Sequence, residues 1–582
     1  MYKQVLDPVS NSLALSAIFA ALPLLVLFVL LGVLRIRAWV SALIALAVAV
    51  VIAVGVYPMP LGQALDAGAE GAVFGFFPIL WIVINAIWVY NMTVASGHFD
   101  VLRRSFANVS DDQRLQAVII AFCFGALMEA LAGFGTPVAI TAVMLIALGF
   151  RPLKAATLAL VANTAPVAFG ALAVPITTLS TVSALPQQDL GSMVGRQTPL
   201  LAVFVPLALL AIVDGRRGLR QAWPAALVCG VTFGVLQFLT SNYISIPLTD
   251  IVASLGSALA MVIFLRVWQP AETYTETGAD DDLVTSGAGG SRDTAAAAGT
   301  SGTTTVRRGS PAPGVTGGGT ATRTGGGASV DGPVVDPPAE VARAYAPYLI
   351  IIAVFVVAQL PGMKGWLDKT TKSFQWPGLD VVNGKGKELS LVTFKVNWLT
   401  TPGTLLLIAG VLTMLALRVS ASGAVRAYRD TLVQLWSAIV TVMAVLALAY
   451  VMNASGQTGT LGNWMAGAGS AFAFLSPILG WLGVAVTGSD TSSNSLFGAL
   501  QVTAAKGAGL DPTLMAGSNS SGGVLGKMIS PQNLAIAASA VGMGGREGDI
   551  FRKVIGWSLV FLLGMCVLVY LQSTALLSWM VP

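Results

Sequence analysis

Residues 519–531 read NSSGGVLGKMISP and lie inside an apolar segment, about 514–541, that is long enough to cross a membrane. The stretch holds three glycines, a lysine and a proline. Glycine and proline leave backbone groups without hydrogen-bond partners. A bilayer tolerates such groups only against protein or a water-filled cavity. A lysine at the bilayer centre costs about 2.5–3.5 kcal/mol on insertion scales. The composition therefore predicts a broken helix that lines a site.

A second stretch of this kind occurs in the first half of the chain, where residues 163–175 read NTAPVAFGALAVP. Asn, Gly and Pro recur at the same offsets in the two stretches: Asn163, Gly170 and Pro175 against Asn519, Gly526 and Pro531. Interrupted apolar segments at corresponding places in two halves indicate the binding site of a transporter.

The composition is that of a polytopic membrane protein. Of 582 residues, 55% are hydrophobic and 10% are charged, whereas soluble domains carry about 25% charged residues. The net charge of +5 comes from arginines in short loops and predicts no nucleic-acid partner. Three widely spaced cysteines and the single histidine, His98, predict neither a metal site nor a cofactor.

The apolar segments predict an all-α fold with about 12 full spans. The spans are expected near residues 13–34, 38–57, 72–95, 155–176, 197–213, 223–241, 245–267, 345–360, 402–418, 431–453, 513–541 and 554–576. Two further pairs of short apolar arms predict re-entrant hairpins, namely 117–131 with 138–150 and 465–487 with 494–505. Their polar, glycine-rich tips are residues 132–137 and 488–493.

With these spans, every arginine-rich short loop falls on one face, which is predicted to be cytoplasmic. Both termini are then outside the plasma membrane. Each half contains three spans, a hairpin, a broken span and one more span. Because five crossings is an odd number, the second copy is inverted. We expect a first repeat with two linking spans in 1–267, an inverted repeat in 345–582, and a core from 116–176 and 464–541.

The segment between the repeats, 268–344, is predicted to be a disordered cytoplasmic linker. Residues 273–339 are rich in Gly, Thr, Ala and Ser and have almost no aliphatic run. Such a composition buries too little apolar surface to offset the entropy of ordering.

Four motifs closely resemble the bacterial L-lactate permease family: EALAGFGTP at 129–137, NTAPVAFG at 163–170, GSDTSSN at 488–494 and GVLGKMISPQ at 523–532. The resemblance covers nearly the whole chain except the linker. It implies a proton symporter of L-lactate, and often of D-lactate or glycolate, rather than an enzyme. It also implies membership of a broad ion-transporter superfamily with inverted repeats, two hairpins and an elevator mechanism.

A lactate site needs positive potential for the carboxylate and hydrogen-bonding groups for the hydroxyl. Lys527 supplies a full charge, and the helix arms after the tips and breaks supply N-terminal dipole ends. The other candidate substrate-binding residues lie at the tips and breaks: Gly135, Thr136, Asn163, Thr491, Ser492, Ser493, Asn494, Asn519, Ser520 and Ser521. Polar side chains of these types also tie membrane helices together without touching substrate.

Glu129 and Asp490 are the candidate proton-coupling residues. Glu129 has no basic neighbour in the sequence, so burial favours its protonated form. An alternative role for Lys527 is to act as the structural partner of Asp490. Asp490 is expected to stay ionised because a lysine beside it favours the charged carboxylate. Three further acids, Asp66, Glu70 and Asp250, are interpreted as solvated helix ends.

Three alternatives remain at this point. A sodium-coupled carboxylate or dicarboxylate carrier would use the Ser- and Asn-rich tips for Na⁺. A membrane subunit of an oxidoreductase lacks support, since the sequence has no histidine pair, cysteine cluster or nucleotide loop. A channel would not need two broken helices and two hairpins. The predicted partners are a small carboxylate, protons and membrane lipid, and the sequence leaves a homo-oligomer open.

Overall fold

The computed structural model describes residues 1–107, 109–133, 135–275, 336–384 and 386–582, and these residues are nearly all helical. The helices of the first half are α1 Leu13–Phe28, α2 Ala38–Gly55, α3 Leu61–Phe74, α4 Trp81–Ala95, α5 His98–Ala107, α6 Gln113–Ala117, α7 Gly125–Leu131, α8 Thr136–Ala147, α9 Pro152–Ala162, α10 Gly170–Ser183, α11 Gln187–Leu239 and α12 Thr249–Val267. Several are extended by π-helical turns, at Val29–Val33, Gly75–Leu80, Val118–Phe124 and Thr240–Ile244.

The second half has the same character. Its helices are α13 Pro338–Gln359, α14 Pro361–Asp368, α15 Pro402–Ala416, α16 Ala421–Ser455, α17 Gln457–Met465, α18 Phe472–Thr487, α19 Asp490–Ala508, α20 Pro512–Gly526, α21 Pro531–Ala540 and α22 Glu547–Gln572. Short 3₁₀ turns occur at Val167–Phe169, Ile246–Leu248, Ser390–Val392, Ala466–Ala471, Lys527–Ile529 and Ser578–Met580.

Within the described residues, ten helices are long and apolar enough to cross a membrane, or eleven if a pair bent by 63° at residues 163–166 is one span. The expected count of about 12 differs for identifiable reasons. Two predicted spans, 197–213 and 223–241, belong to one helical run, Gln187–Ile244. This run is interrupted at Asp214 and Gly215, whose backbone is not helical. Helix α15 has only 15 residues.

Short strands are the exception to the predicted all-α fold. Strand β1, Tyr2–Lys3, pairs in parallel with β3, Val381–Val382, and β2, Lys372–Gln375, pairs antiparallel with β4, Thr393–Val396. The buried Tyr2 hydroxyl donates to the carbonyl oxygens of Tyr57 and Ser455 at 2.6 and 3.0 Å. The N-terminus is thus fixed to segment 361–400 and to the ends of two helices.

The predicted linker ends earlier than expected. Helix α13 begins at Pro338, so residues 338–344, which were assigned to the linker, are helical. The prediction of disorder for residues 276–335 lies outside the described residues.

The second predicted tip is shorter than expected. Helix α18 ends at Thr487 and α19 begins at Asp490, so the turn consists of Gly488, at φ 75°, and Ser489, which caps α19. Thr491, Ser492 and Ser493 therefore occupy the first turn of a helix and not a loop. The first tip lies between α7 and α8, at residues 132–135.

Both predicted broken helices are interrupted, but at different offsets. In the first half, α9 ends beside Asn163, and the chain resumes a right-handed helix only after Ala171, Leu172 and Ala173 at φ 45°, 53° and 60°. In the second half, Asn519 lies inside the regular helix α20, and the break is the 3₁₀ turn Lys527–Ile529 followed by extended Ser530. Pro531 then starts α21, where a missing N–H has no cost.

The glycines of α20 do not break it, contrary to expectation; they bring it against α18. A Cβ at Gly522 would collide with the backbone of Pro477, and one at Gly526 with the carbonyl oxygen of Trp481. On the facing helix, Gly480 has the same role, because a Cβ there would collide with the carbonyl oxygen of Asn519. Small residues that allow backbones to approach are the usual basis of helix packing in membranes.

The two halves interleave instead of forming separate bodies. Helix α16 packs on α2 and α3, α15 on α4, and α17 on α1. Around the breaks, α10 packs on α19, α8 on α21 and α9 on α22. Each half therefore completes the core of the other.

Gly480→Ala should destabilise the protein, because the added methyl group meets rigid backbone. We expect the free energy of unfolding in detergent to fall by about 1–3 kcal/mol, the cost of overpacking. Gly556→Ala in α22 is the control, since nothing lies within 4 Å of its added Cβ, and it should not lower stability, because alanine favours a helix interior over glycine by about 0.5–1 kcal/mol. Equal stability of the two variants would contradict the close α18–α20 contact.

Candidate functional site

A cavity of about 50 Å³ lies where the two breaks and the two tips meet. This volume accommodates a few water molecules or a small solute. Its lining residues come from both halves: Glu129, Gly133, Val167, Gly170, Ala171, Val174, Pro175, Gly488, Ser489, Asp490, Thr491, Lys527 and Gln532. The three ionisable groups among them are the three that the sequence singles out.

Lys527 pairs with Glu129. Its Nζ donates to Glu129 Oε1 at 2.5 Å, and the two side chains are 7% and 4% exposed. Asn163 Nδ2 donates to Glu129 Oε2 at 3.0 Å. Lys527 does not pair with Asp490, the alternative that the sequence suggested. Glu129 has no basic neighbour in the sequence, but tertiary packing supplies Lys527. The ion pair joins the end of α7 to the break after α20.

Asp490 is held by neutral donors. Its Oδ2 accepts from Ser520 Oγ at 2.5 Å and from Asn494 Nδ2 at 3.3 Å. Its buried Oδ1 has no hydrogen-bond partner in the described part of the chain. Gly523 faces this oxygen, and a Cβ there would collide with it. Asp490 therefore has one oxygen free to hold a proton.

Asn494 and Asn519 lie behind the cavity in a chain of amides. Asn519 Nδ2 donates to Asn494 Oδ1 at 2.9 Å, and Gln501 Nε2 donates to Asn519 Oδ1 at 3.1 Å. Asn494 Nδ2 also lies 3.2 Å from the carbonyl oxygen of Pro175, in the other half. These amides tie α19 and α20 to α10 and orient the groups that hold Asp490.

The remaining candidate residues do not line the cavity, except Thr491. Gly135, at the start of α8, faces Ile536 and Asn533 of α21, and Thr136 follows it. Ser493 Oγ donates to the carbonyl oxygen of Gly480, and Ser492 N–H is capped by Ser489 Oγ. Ser521 Oγ is buried and has no partner among the described residues.

Sequence reasoning did not select Gln532 or Gly170. Gln532 directly follows Pro531 and lies against Gly488, where a Cβ would come within 2.6 Å of Gln532 Oε1. A Cβ at Gly170 would come within 2.8 Å of Glu129 Oε1. Gln532 lies beside Pro531, and Gly170 lies at the glycine offset that recurs in the two stretches. These sequence features could have identified them.

Two acids interpreted as solvated helix ends are buried. Glu70 is 1% exposed and Asp250 is 0% exposed. Asp250 Oδ1 accepts from Gln237 Nε2 at 3.2 Å, and the same nitrogen lies 3.4 Å from the carbonyl oxygen of Ala165 in the first break. Tertiary packing covers both acids although they lie close to the ends of apolar segments.

A multi-pass helical fold, with interrupted helices from two halves around a small charged cavity, defines a membrane transport protein rather than an enzyme. The L-lactate permease family model matches residues 16–576. An L-lactate permease of Bacillus subtilis is 39% identical, with all of both chains covered. A glycolate permease of Escherichia coli is 40% identical over 97% of this chain and 96% of its own. The chain belongs to the L-lactate permease family.

Lys527→Met should be strongly destabilising because it leaves Glu129 buried without a cation. We expect the free energy of unfolding to fall by about 3–5 kcal/mol, the cost of removing one partner from a buried ion pair. Adding Glu129→Gln should restore most of this loss, whereas adding Asp490→Asn should not. Thermal unfolding in detergent measures all three variants, and rescue by Asp490→Asn instead would contradict the pairing.

Proposed function

We propose that this protein is a secondary active transporter that carries L-lactate and related small 2-hydroxy monocarboxylates, including D-lactate and glycolate, together with protons. The similarity to an L-lactate permease and to a glycolate permease supports the substrate class. The observation that carries the proposal is the cavity between the two breaks, which presents one lysine and two carboxyl groups.

The charges at the cavity couple the anion to the proton. With Lys527, Glu129 and Asp490 all ionised, the net charge is −1, which repels a carboxylate. Protonation of one carboxyl group makes the cavity neutral and removes this repulsion. Anion and proton then favour the binding of each other by the same free energy. Entry of a lone anion into a negative-inside cell costs about 2.3 kcal/mol per 100 mV, and one proton cancels this cost.

The contacts suggest a division of roles. Lys527 attracts the substrate carboxylate, and its bond to Glu129 opens or is shared when substrate arrives. Because Lys527 already compensates Glu129, Asp490 becomes the better proton carrier and Glu129 the counter-ion. Thr491 and Gln532 offer a hydroxyl and an amide to the substrate hydroxyl. The other candidate polar residues hold the site in place.

For the finer architecture, we propose inverted repeats over about residues 1–215 and 345–582, with two re-entrant hairpins and an elevator motion. The interleaved helices and the approach of both tips to one cavity support this arrangement. We also propose that the arginine-rich loops and the linker that precedes α13, from residue 268 to residue 337, are cytoplasmic and that both termini are outside. The contact of the N-terminus with segment 361–400 agrees with a shared outer face.

Transport in proteoliposomes tests the proton assignment. Asp490→Asn should still exchange labelled lactate but should fail to accumulate it under an imposed pH gradient, because its site no longer exchanges a proton. Glu129→Gln is the matched comparison. If Glu129→Gln alone loses accumulation, Glu129 carries the proton as the sequence predicted. Accumulation driven by Na⁺ without a pH gradient would favour the sodium-coupled alternative.

Substrate recognition by Lys527 is tested in a background that lacks its partner. Glu129→Gln should bind lactate, and the double variant Glu129→Gln/Lys527→Met should bind about 10- to 100-fold more weakly, the scale of a charged hydrogen bond of about 1.5–3 kcal/mol. Equilibrium binding to the purified variants measures this difference. Equal affinities would show that helix dipoles and hydroxyl groups recognise the carboxylate without Lys527.

The linker should be dispensable for transport. Replacement of residues 276–335 with a Gly/Ser chain of sufficient length should leave lactate uptake near wild type, because the composition offers no packed partner. Uptake is compared at equal amounts of inserted protein. Loss of uptake by a normally inserted variant would show that this segment acts in transport.

A further inference from the structure

A basic cavity of about 1000 Å³ lies at the break in α11, separate from the cavity that Lys527 lines. Its walls include Arg216, Arg217, Arg220, Trp223, Trp268 and Glu272. We propose that this cavity binds the phosphate headgroup of an anionic membrane lipid and thereby stabilises the cytoplasmic end of the helical run that carries Glu129. The binding site does not depend on the proposed substrate.

The cavity has an excess of positive charge that contacts among the described residues do not neutralise. Arg217 Nη2 donates to Glu272 Oε2 at 2.5 Å, and this hydrogen bond lowers the pKa of Glu272, so its carboxylate stays ionised at neutral pH. Arg216 and Arg220 make no ion pair with any described residue. They are four positions apart and therefore lie on the same side of the helix. Three guanidinium groups against one carboxylate leave two positive charges.

The position of the cavity favours a lipid over a soluble anion. Arg216 follows the interruption of α11 at Asp214 and Gly215, and Trp268 follows the end of α12 at Val267. The cavity is therefore at the ends of two apolar helices, where tryptophan marks the level of the headgroups. Trp223 is 51% exposed there. Guanidinium groups bind phosphate oxygens in pairs, and basic pockets between such helices suit anionic headgroups.

A buried arginine connects this cavity to the helical run that carries Glu129. Arg114 is 0% exposed and donates to Asp214 Oδ2 at 3.1 Å, to Gln221 Oε1 at 2.7 Å and to the carbonyl oxygen of Glu272 at 2.7 Å. Arg114 lies at the start of the helical run Gln113–Leu131, which contains Glu129. A ligand that orders the break in α11 and residue 272 therefore also orders one end of this run.

The test compares the full chain in nanodiscs of phosphatidylcholine with and without phosphatidylglycerol. Phosphatidylglycerol should raise the unfolding temperature of the wild type, and native mass spectrometry should show retained lipid. The double variant Arg216→Gln/Arg220→Gln should weaken the retention of phosphatidylglycerol on the order of 30-fold, because each arginine contributes about 1 kcal/mol to lipid binding. In pure phosphatidylcholine this variant should match the wild type, because neither arginine has a protein partner in the described part of the chain.

Arg426→Gln/Arg429→Gln is the matched control, since both arginines are exposed on α16 and neither lines the cavity. It should retain phosphatidylglycerol like the wild type. Equal retention by all three proteins, or an equal loss in both variants, would overturn the proposal. If inorganic phosphate protects the wild type in phosphatidylcholine and phosphatidylglycerol does not, the cavity binds a soluble phosphate, which overturns the lipid assignment. Lactate uptake is measured separately, so failure of the proposed transport function leaves this result interpretable.

Discussion

The buried ion pair between Lys527 and Glu129 is the interaction on which the arrangement of the centre depends. A lysine inside the membrane is tolerable only with a compensating charge, and that charge comes from the opposite half of the chain. To bring the two groups together, α20 must end at Gly526, and Gly170 must leave room for the Glu129 carboxylate. Asn163 completes the coordination of Glu129 from the first break. The contact between Lys527 and Glu129 therefore requires that the helices be interrupted at these points.

Close packing around the breaks makes this contact rigid. Helices α18 and α20 meet through Gly480, Gly522 and Gly526, so backbone lies against backbone with little side chain between them. In the first break, three consecutive non-glycine residues adopt left-handed backbone conformations, each costing about 1–2 kcal/mol. Such strain persists only where the surroundings determine the conformation. Ala171, one of the three, lines the cavity, so the strained segment forms part of the site.

We propose that the excess of acid over base at the cavity is the basis of proton coupling. The one lysine contacts the Glu129 carboxylate, whereas hydroxyl and amide donors hold the second acid, Asp490. In the proposed mechanism, an anion entering this cavity competes with Glu129 for Lys527, and a proton on either acid relieves the repulsion. A second buried cation lies at the other end of the same helical run, where Arg114 is fully buried and contacts Asp112 and Asp214. Both ends of this run are held by charge.

The amino-acid sequence by itself determined the membrane class, the two interrupted helices and the three ionisable groups of the site, because hydropathy, glycine and proline content and the cost of a buried charge are local properties. Residues that lie far apart in the chain decided the rest. Lys527 and Glu129 are 398 positions apart, and no local pattern specifies which acid a buried lysine meets. The glycines of α20 look the same in sequence whether they break a helix or allow close packing, and only the position of α18 decides between these roles. Burial of Asp250 likewise follows from the helices that cover it, not from its place near the start of an apolar segment.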